Sequence, residues 1–191
     1  MDKHYPLKLI IFSYENPDEF KAIFEAYEKR TADSEDIIEI SREKEISYLK
    51  DNIFIQKNPI ETYIELIISS INELDYIIDK SQSELSSKCL KLAGTDVKNK
   101  IREFSKNIDI DQIDRILPEL VFLNKIKIEI EIESGVLFCE KCNRWFPIIE
   151  TIPQMLPDEY REERKEIEWI QSKKNLLDET FLNQDLKPFK I

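Results

Sequence analysis

Residues 126–156 read IKIEIEIESGVLFCEKCNRWFPIIETIPQML, and the fold turns on how that stretch is parsed. Ile126, Ile128, Ile130 and Ile132 alternate with Lys127, Glu129, Glu131 and Glu133. A two-residue period of this kind predicts a strand with one apolar and one wet face. Ser134 and Gly135 turn the chain into a second predicted strand over 136–139, and residues 145–149 make a third. Trp145, Phe146, Ile148, Ile149, Ile152, Met155 and Leu156 then crowd together, punctuated by Pro147, Pro153 and Pro157. A small three-stranded sheet cannot bury that much apolar surface by itself. Two readings stay open: the rest of the chain covers the excess, or it stands exposed for a protein partner.

Between the second and third strands lies Cys139-Glu140-Lys141-Cys142. Two thiolates at this spacing supply half of a tetrahedral zinc site. No second pair completes it. His4 is the sole histidine, and Cys89 falls in a helical stretch, so four ligands would require both remote residues to converge. Redox chemistry of the thioredoxin kind wants the pair at the start of a helix, whereas here a strand follows. The expectation is a reduced pair without metal, with Cys139 and Cys142 as the only zinc candidates.

Upstream, the signals are mostly helical. Residues 5–14 (YPLKLIIFSY) predict a first strand. Asn16-Pro17-Asp18-Glu19 then opens a helix, with a capping residue, a proline suited to the first turn and a glutamate behind it. Phe20, Ile23, Phe24 and Tyr27 give that helix one apolar face, ending near Arg30. Residues 37–40 and 52–55 read as short strands around a charged turn or helix. Asn58-Pro59-Ile60-Glu61 repeats the start signal, and Ile60, Tyr63, Ile64, Ile67, Ile68, Ile71 and Leu74 follow as a long apolar stripe that fades through Ile77 and Ile78. Leu85, Cys89 and Leu92 resume it until Gly94, read as a helix stop. Shorter helices are expected from Thr95 or Asp96 and over 111–124, where Pro118 either kinks the second or starts it afresh. Downstream, 158–174 predicts a charged helix, and 178–191 a loose tail or docking segment.

Composition narrows the function. The chain has 191 residues, 41% hydrophobic and 35% charged, enough for a packed core. Two glycines, Gly94 and Gly135, are too few for a glycine-rich phosphate loop or dinucleotide fingerprint. A net charge of -11 argues against direct grip on RNA, which rests on cations neutralising phosphates. One histidine leaves no nucleophile–base–orienter set, and the many carboxylates fall on polar faces. No run reaches the roughly 18 apolar residues of a membrane span, and the first residues lack a signal-peptide pattern. Three cysteines suit a reducing compartment, so a cytoplasmic location is expected.

The block GVLFCEKCNRWFPIIETIPQML resembles the multifunctional methyltransferase activators, the shared small partners of tRNA, ribosomal RNA and release-factor methyltransferases in eukaryotes and archaea. Gly135, Cys139, Cys142, Arg144, Phe146, Pro147, Ile148, Ile152, Pro153, Met155 and Leu156 fall in register with that family's hallmark. Tyr5-Pro6-Leu7-Lys8-Leu9 is similar to its early strand. The resemblance implies an α+β fold: a small zinc-ribbon-like β domain from both chain ends (1–15 and 125–157), a mainly helical insertion (16–124), then a C-terminal helix and tail (158–191). It implies a non-catalytic subunit that binds no cofactor of its own. Its partner would be an S-adenosylmethionine-dependent methyltransferase, held as a heterodimer by strand addition and an apolar patch, with RNA reached only through that partner and no membrane involved. Phe146, Ile148, Ile152, Met155 and Leu156 are the expected partner-binding residues. Zinc-binding relatives take two cysteines from ahead of the early strand, which this sequence lacks. Asn143 and Thr151 replace two usual glycines; asparagine tolerates a left-handed turn, threonine much less so. The alternatives are a degenerate zinc-ribbon binding module in transcription or ribosome assembly, and a thiol oxidoreductase using Cys139 and Cys142.

Overall fold

The computed structural model describes residues 6–31 and 37–191. His4 and Tyr5 lie outside the described residues. In chain order the elements are β1 (Lys8–Tyr14), α1 (Glu19–Lys29), β2 (Glu39–Glu43), β3 (Ile46–Lys50), β4 (Asn58–Pro59), α2 (Ile60–Asn72), β5 (Ile77–Asp79), α3 (Glu84–Leu92), α4 (Lys98–Ser105), α5 (Leu117–Ile128), β6 (Ile132–Cys139), β7 (Arg144–Ile149), β8 (Ile152–Pro153), α6 (Glu163–Ser172) and α7 (Glu179–Leu182). The strands form two sheets, ordered β5-β1-β6-β7-β8 and β2-β3-β4. The fold is therefore mixed α and β. Among the described residues no helix is long and apolar enough to cross a membrane. The chain divides into two compact units, one of Met1–Glu15, Tyr76–Gln82 and Glu131–Ile191, the other of Asn16–Asp75 and Ser83–Ile130.

The first unit is built on the antiparallel pairing of β1 with β6, in which Ile10 faces Val136 and Lys8 faces Phe138. β7 adds antiparallel to β6, and β5 adds parallel to β1. Gly135 marks the closest approach. A Cβ built there would stand 2.6 Å from the Ile10 carbonyl oxygen, so only a residue without one lets β1 and β6 meet at this height. Just beyond, the register shifts around Ser13, whose hydroxyl lies 2.7 Å from that of Ser134.

Residues after Pro157 do more than form a charged helix and tail. Ile170, Leu177, Phe181 and Leu186 are buried against Ile10, Phe12, Val136, Phe138 and Trp145, and together they are the core of this unit. Phe181 meets Phe138 edge-on at 5.1 Å. The sequence hid this because the apolar residues of 158–191 are spread over two short helices and the turns between them, so no single helical stripe exists. A connected set of aromatic and aliphatic residues nevertheless buries most of one sheet face, leaving Ile152 at its edge exposed.

In the second unit the predicted helices α1 and α2 form where the start signals placed them. Phe20, Ile23 and Phe24 are buried on α1, and Arg30, in the left-handed region, ends it. Ile60, Tyr63, Ile64, Ile67 and Ile71 are buried on α2. Three expectations are corrected. The hairpin of the ambiguous region is β2–β3, and 52–55 is not a strand: Asp51 Oδ1 accepts from the backbone N–H groups of Ile53 and Phe54, which bends the chain. Gly94 stops nothing. It lies in a π-helical stretch, Ala93–Val97, that carries α3 straight into α4. And the alternating run that predicted a strand from Ile126 begins as helix, since α5 extends to Ile128 and β6 starts only at Ile132. Helix wins there because Ile126 is buried while Ile128 is exposed, and Lys125 bonds Glu129 one turn on at 3.0 Å. Pro118 sits in the first turn of α5, a fresh start rather than a kink.

Gly135→Ala should lower unfolding free energy by about 1–3 kcal/mol, because the β1 backbone rather than a flexible side chain blocks the new methyl group. Denaturant melts of the two forms check this; equal midpoints would mean β1 can shift freely.

Candidate functional site

The β7–β8 hairpin sets the geometry of the candidate surface. Ile149 pairs with Ile152, so only Glu150 and Thr151 make the turn. Both have positive φ, 48° and 66°, which is the type I′ pattern that suits the right-handed twist of strands. Such positions favour asparagine and glycine, and a β-branched residue there is strained by about 1–3 kcal/mol. The turn expected to suffer from threonine is kept all the same. Pairing with β7 holds it on one side, and Thr151 N–H donates to the Glu133 carbonyl at 3.0 Å on the other. After Pro153 the chain folds back tightly: Gln154 N–H donates to Pro147 O at 2.8 Å and Met155 N–H to Pro153 O at 3.0 Å.

This path puts Ile152, Met155, Leu156 and Tyr160 on the outside, 60%, 54%, 45% and 69% exposed. Ile152, Met155 and Leu156 form an apolar ledge along the chain, with exposed Glu150 before it and exposed Asp158 and Glu159 between it and Tyr160. Phe146 is half-buried, its ring 5.3 Å from the guanidinium of Arg161. Ile148 is a correction. Its side chain is only 4% exposed, because the alternation of β7 turns it to the same side as Gly135 and Pro153, opposite Ile152, so in this chain it is a core residue. Tyr160 was missed by sequence reading, being a lone aromatic in a charged run.

Arg161 is the other residue that periodicity could not reveal. Its side chain is fully buried and makes a two-pronged pair with Glu166, two of whose contacts measure 3.1 Å. It lies 5.2 Å from the rings of both Trp145 and Phe189. A planar guanidinium can stack on aromatic faces while its edge holds a carboxylate.

The Cys139–Cys142 turn follows β6 and is shaped by Asn143, whose φ of 53° is one that asparagine tolerates. Cys139 is buried and Cys142 exposed. Burial pushes the Cys139 thiol up, but hydrogen bonds from the Cys142 side chain and from the N–H groups of Cys142 and Lys141 outweigh it, aided by the Lys141 charge. The thiol therefore sits below the usual cysteine value. Cys89, the remote candidate ligand, is buried in the second unit with its thiol directed at the Phe20 carbonyl, and burial pushes it up to about 11. A thiol so placed resists becoming a thiolate ligand. Among the described residues no three or more metal-ligating side chains gather.

Other perturbed groups lie in the second unit. Burial, with Asp51 accepting its hydroxyl at 2.7 Å, pushes the Tyr63 phenol far up. Glu119 is buried and receives Tyr27 at 3.1 Å and Lys100 at 2.5 Å on the same oxygen. These pairings fasten α2 to the turn after β3, and α1 and α4 to α5.

A family model described as Trm112p-like protein matches residues 2–150 of this chain. No curated protein and no solved structure matches it.

Thr151→Gly should raise stability by about 1 kcal/mol, since relief of the left-handed strain exceeds glycine's entropic cost of about 0.5–1 kcal/mol; thermal melting measures it. For the thiol turn, elemental analysis of the purified protein should find well under one zinc per chain. The double variant Cys139→Ser, Cys142→Ser should stay within about 1 kcal/mol of the parent. Stoichiometric zinc, with collapse of the double variant, would overturn the assignment.

Proposed function

The chain belongs to the Trm112p-like family, and from that premise we propose that it is the non-catalytic partner of an S-adenosylmethionine-dependent methyltransferase acting on tRNA, ribosomal RNA or a translation release factor. The family is one of methyltransferase activators. The observation that carries the reading to this chain is the ledge of Ile152, Met155 and Leu156, three large apolar side chains about half exposed beside a buried core. Side chains of this kind anchor protein interfaces when a partner removes them from water. Phe146, half-buried on the face of β7 that carries Ile148 and Pro153, would add to the contact from that side. The acidic flanks and the net charge of -11 suit a partner with a basic, RNA-binding rim.

Main-chain pairing at the ledge itself is restricted. Pro153 has no N–H, and its carbonyl already accepts from Met155, which blunts β8 as a template for another strand. Side chains therefore dominate there. The subunit supplies no chemistry in this reading; it covers an apolar patch of the catalytic subunit and leaves S-adenosylmethionine and RNA to it.

Ile152→Asp should abolish co-purification of the methyltransferase from the native cells while circular dichroism and melting stay near those of the parent. Met155→Ala and Leu156→Ala should each cost about 2 kcal/mol of binding, roughly 30-fold in affinity. Calorimetric titration of the isolated chain with S-adenosylmethionine should show no binding. A folded Ile152→Asp that still captures the enzyme would remove the ledge from the interface, and micromolar cofactor binding by the chain alone would remove the activator reading.

A further inference from the structure

On the edge of β7 away from β6, β8 occupies only the end at Ile148 and Ile149. The other end carries main-chain groups that a strand could use, and here the chain uses them itself. Lys187 N–H donates to the Asn143 carbonyl at 2.9 Å, and Trp145 N–H donates to the Lys187 carbonyl at 3.1 Å, a single parallel bridge centred on Arg144. Pro188 follows and has no N–H, so the ladder stops after one bridge. The indole Nε1–H of Trp145 then donates to the Phe189 carbonyl at 3.2 Å. The Phe189 ring is half-buried and lies against the same guanidinium of Arg161 that faces Phe146.

The attachment is shallow compared with what precedes it. Leu186 and Phe181 are 2% and 5% exposed, deep in the core, whereas Lys187 and Lys190 are exposed and Phe189 and Ile191 only half-buried. Leu186 belongs to the core, whereas Phe189 and Ile191 pack against it only from its edge. Residues 187–191 also lie beyond the 2–150 that match the family. They cover Trp145 and, through Arg161, hold one side of Phe146, an expected partner-binding residue.

Resting on the activator reading above, we propose that residues 187–191 are a self-competing strap. They fill the strand-accepting edge at Asn143–Trp145, and an extended segment of the methyltransferase displaces them when it docks along β7 next to the ledge. Main-chain hydrogen bonds are exchanged one for one, and the freed guanidinium face and Phe146 join the interface. A strap that is closed most of the time lowers the apparent affinity by the fraction of open chains.

The test uses the full chain with Lys187→Pro, which removes the donor to Asn143, and with Lys187→Pro plus Phe189→Asp, which also removes the ring on Arg161. Both should keep the parent's circular dichroism, since Leu186 is untouched. Titrated with the methyltransferase captured by the wild-type chain, each should bind at least about 5-fold more tightly. Hydrogen exchange on the wild-type complex should show residues 187–191 losing protection as the Trp145 amide gains it. Equal or weaker binding by folded variants, or a strap still protected in the complex, overturns the proposal. A second arm needs no enzyme. The synthetic peptide Leu-Lys-Pro-Phe-Lys-Ile should protect the Trp145 amide of the double variant and not that of the wild type, and failure to do so denies that this edge accepts a strand. If the wild-type chain captures no methyltransferase, the activator reading fails, while the peptide arm still judges the edge. Should the double variant unfold, Lys187→Pro alone decides.

Discussion

The sheet of the first unit is apolar on both faces, and the rest of that unit answers to this. An antiparallel sheet commonly keeps one face wet, but here Ile10, Phe12, Val136, Phe138 and Trp145 point one way while Leu9, Ile11, Leu137, Phe146 and Ile148 point the other. A three-residue β5, a two-residue β8 and strands this short cannot shield themselves. Cover has to be brought in, and on the first face it comes from residues 161–189, which hold no sheet strand of their own. The ionic plate of Arg161 and Glu166 belongs to the same solution. A buried pair is stabilising only when both partners are satisfied and well stacked, and the aromatic rings of Trp145, Phe146 and Phe189 supply that packing.

Much of this was legible in the sequence where the signal is local. The start motifs at Asn16-Pro17 and Asn58-Pro59 sit just ahead of helices, and the apolar stripe on Ile60, Tyr63, Ile64, Ile67 and Ile71 is the buried face of one. Strands over 136–139 and 145–149 stand close to β6 and β7. Failure came where one pattern serves two structures. Isoleucine alternating with charge reads as a strand, yet a helix also places lysine and glutamate four apart, and packing at Ile126 settled it. Gly94 misled for a related reason: glycine permits a helix end without requiring one.

The candidate site was half visible. Density of large apolar residues drew attention to 145–156, and Ile152, Met155 and Leu156 stand exposed there. What composition could not decide is which of them the strand turns inward, and β7 turns Ile148 in. Nor could it show that Arg161, far from the motif in character, would lie on Phe146. That contact depends on the path of the chain after Pro157, where no periodicity announces a core.

One further consequence follows from the order in which the strands are made. Ser13 and Ser134, whose hydroxyls meet across β1 and β6, are 121 positions apart. At a synthesis rate of about 5–20 residues per second, β1 leaves the ribosome roughly ten seconds before its partner exists. Throughout that interval a strand reading KLIIFSY lacks its β6 partner and has only the three-residue β5 to pair with once that is made, the kind of segment that recruits other chains. The helices between them, built from near-neighbour contacts, close in far less time. Newborn chains thus pass through a stage with a finished helical unit and a half-paired β1, and a holding factor would find its target there rather than on the finished protein's surface.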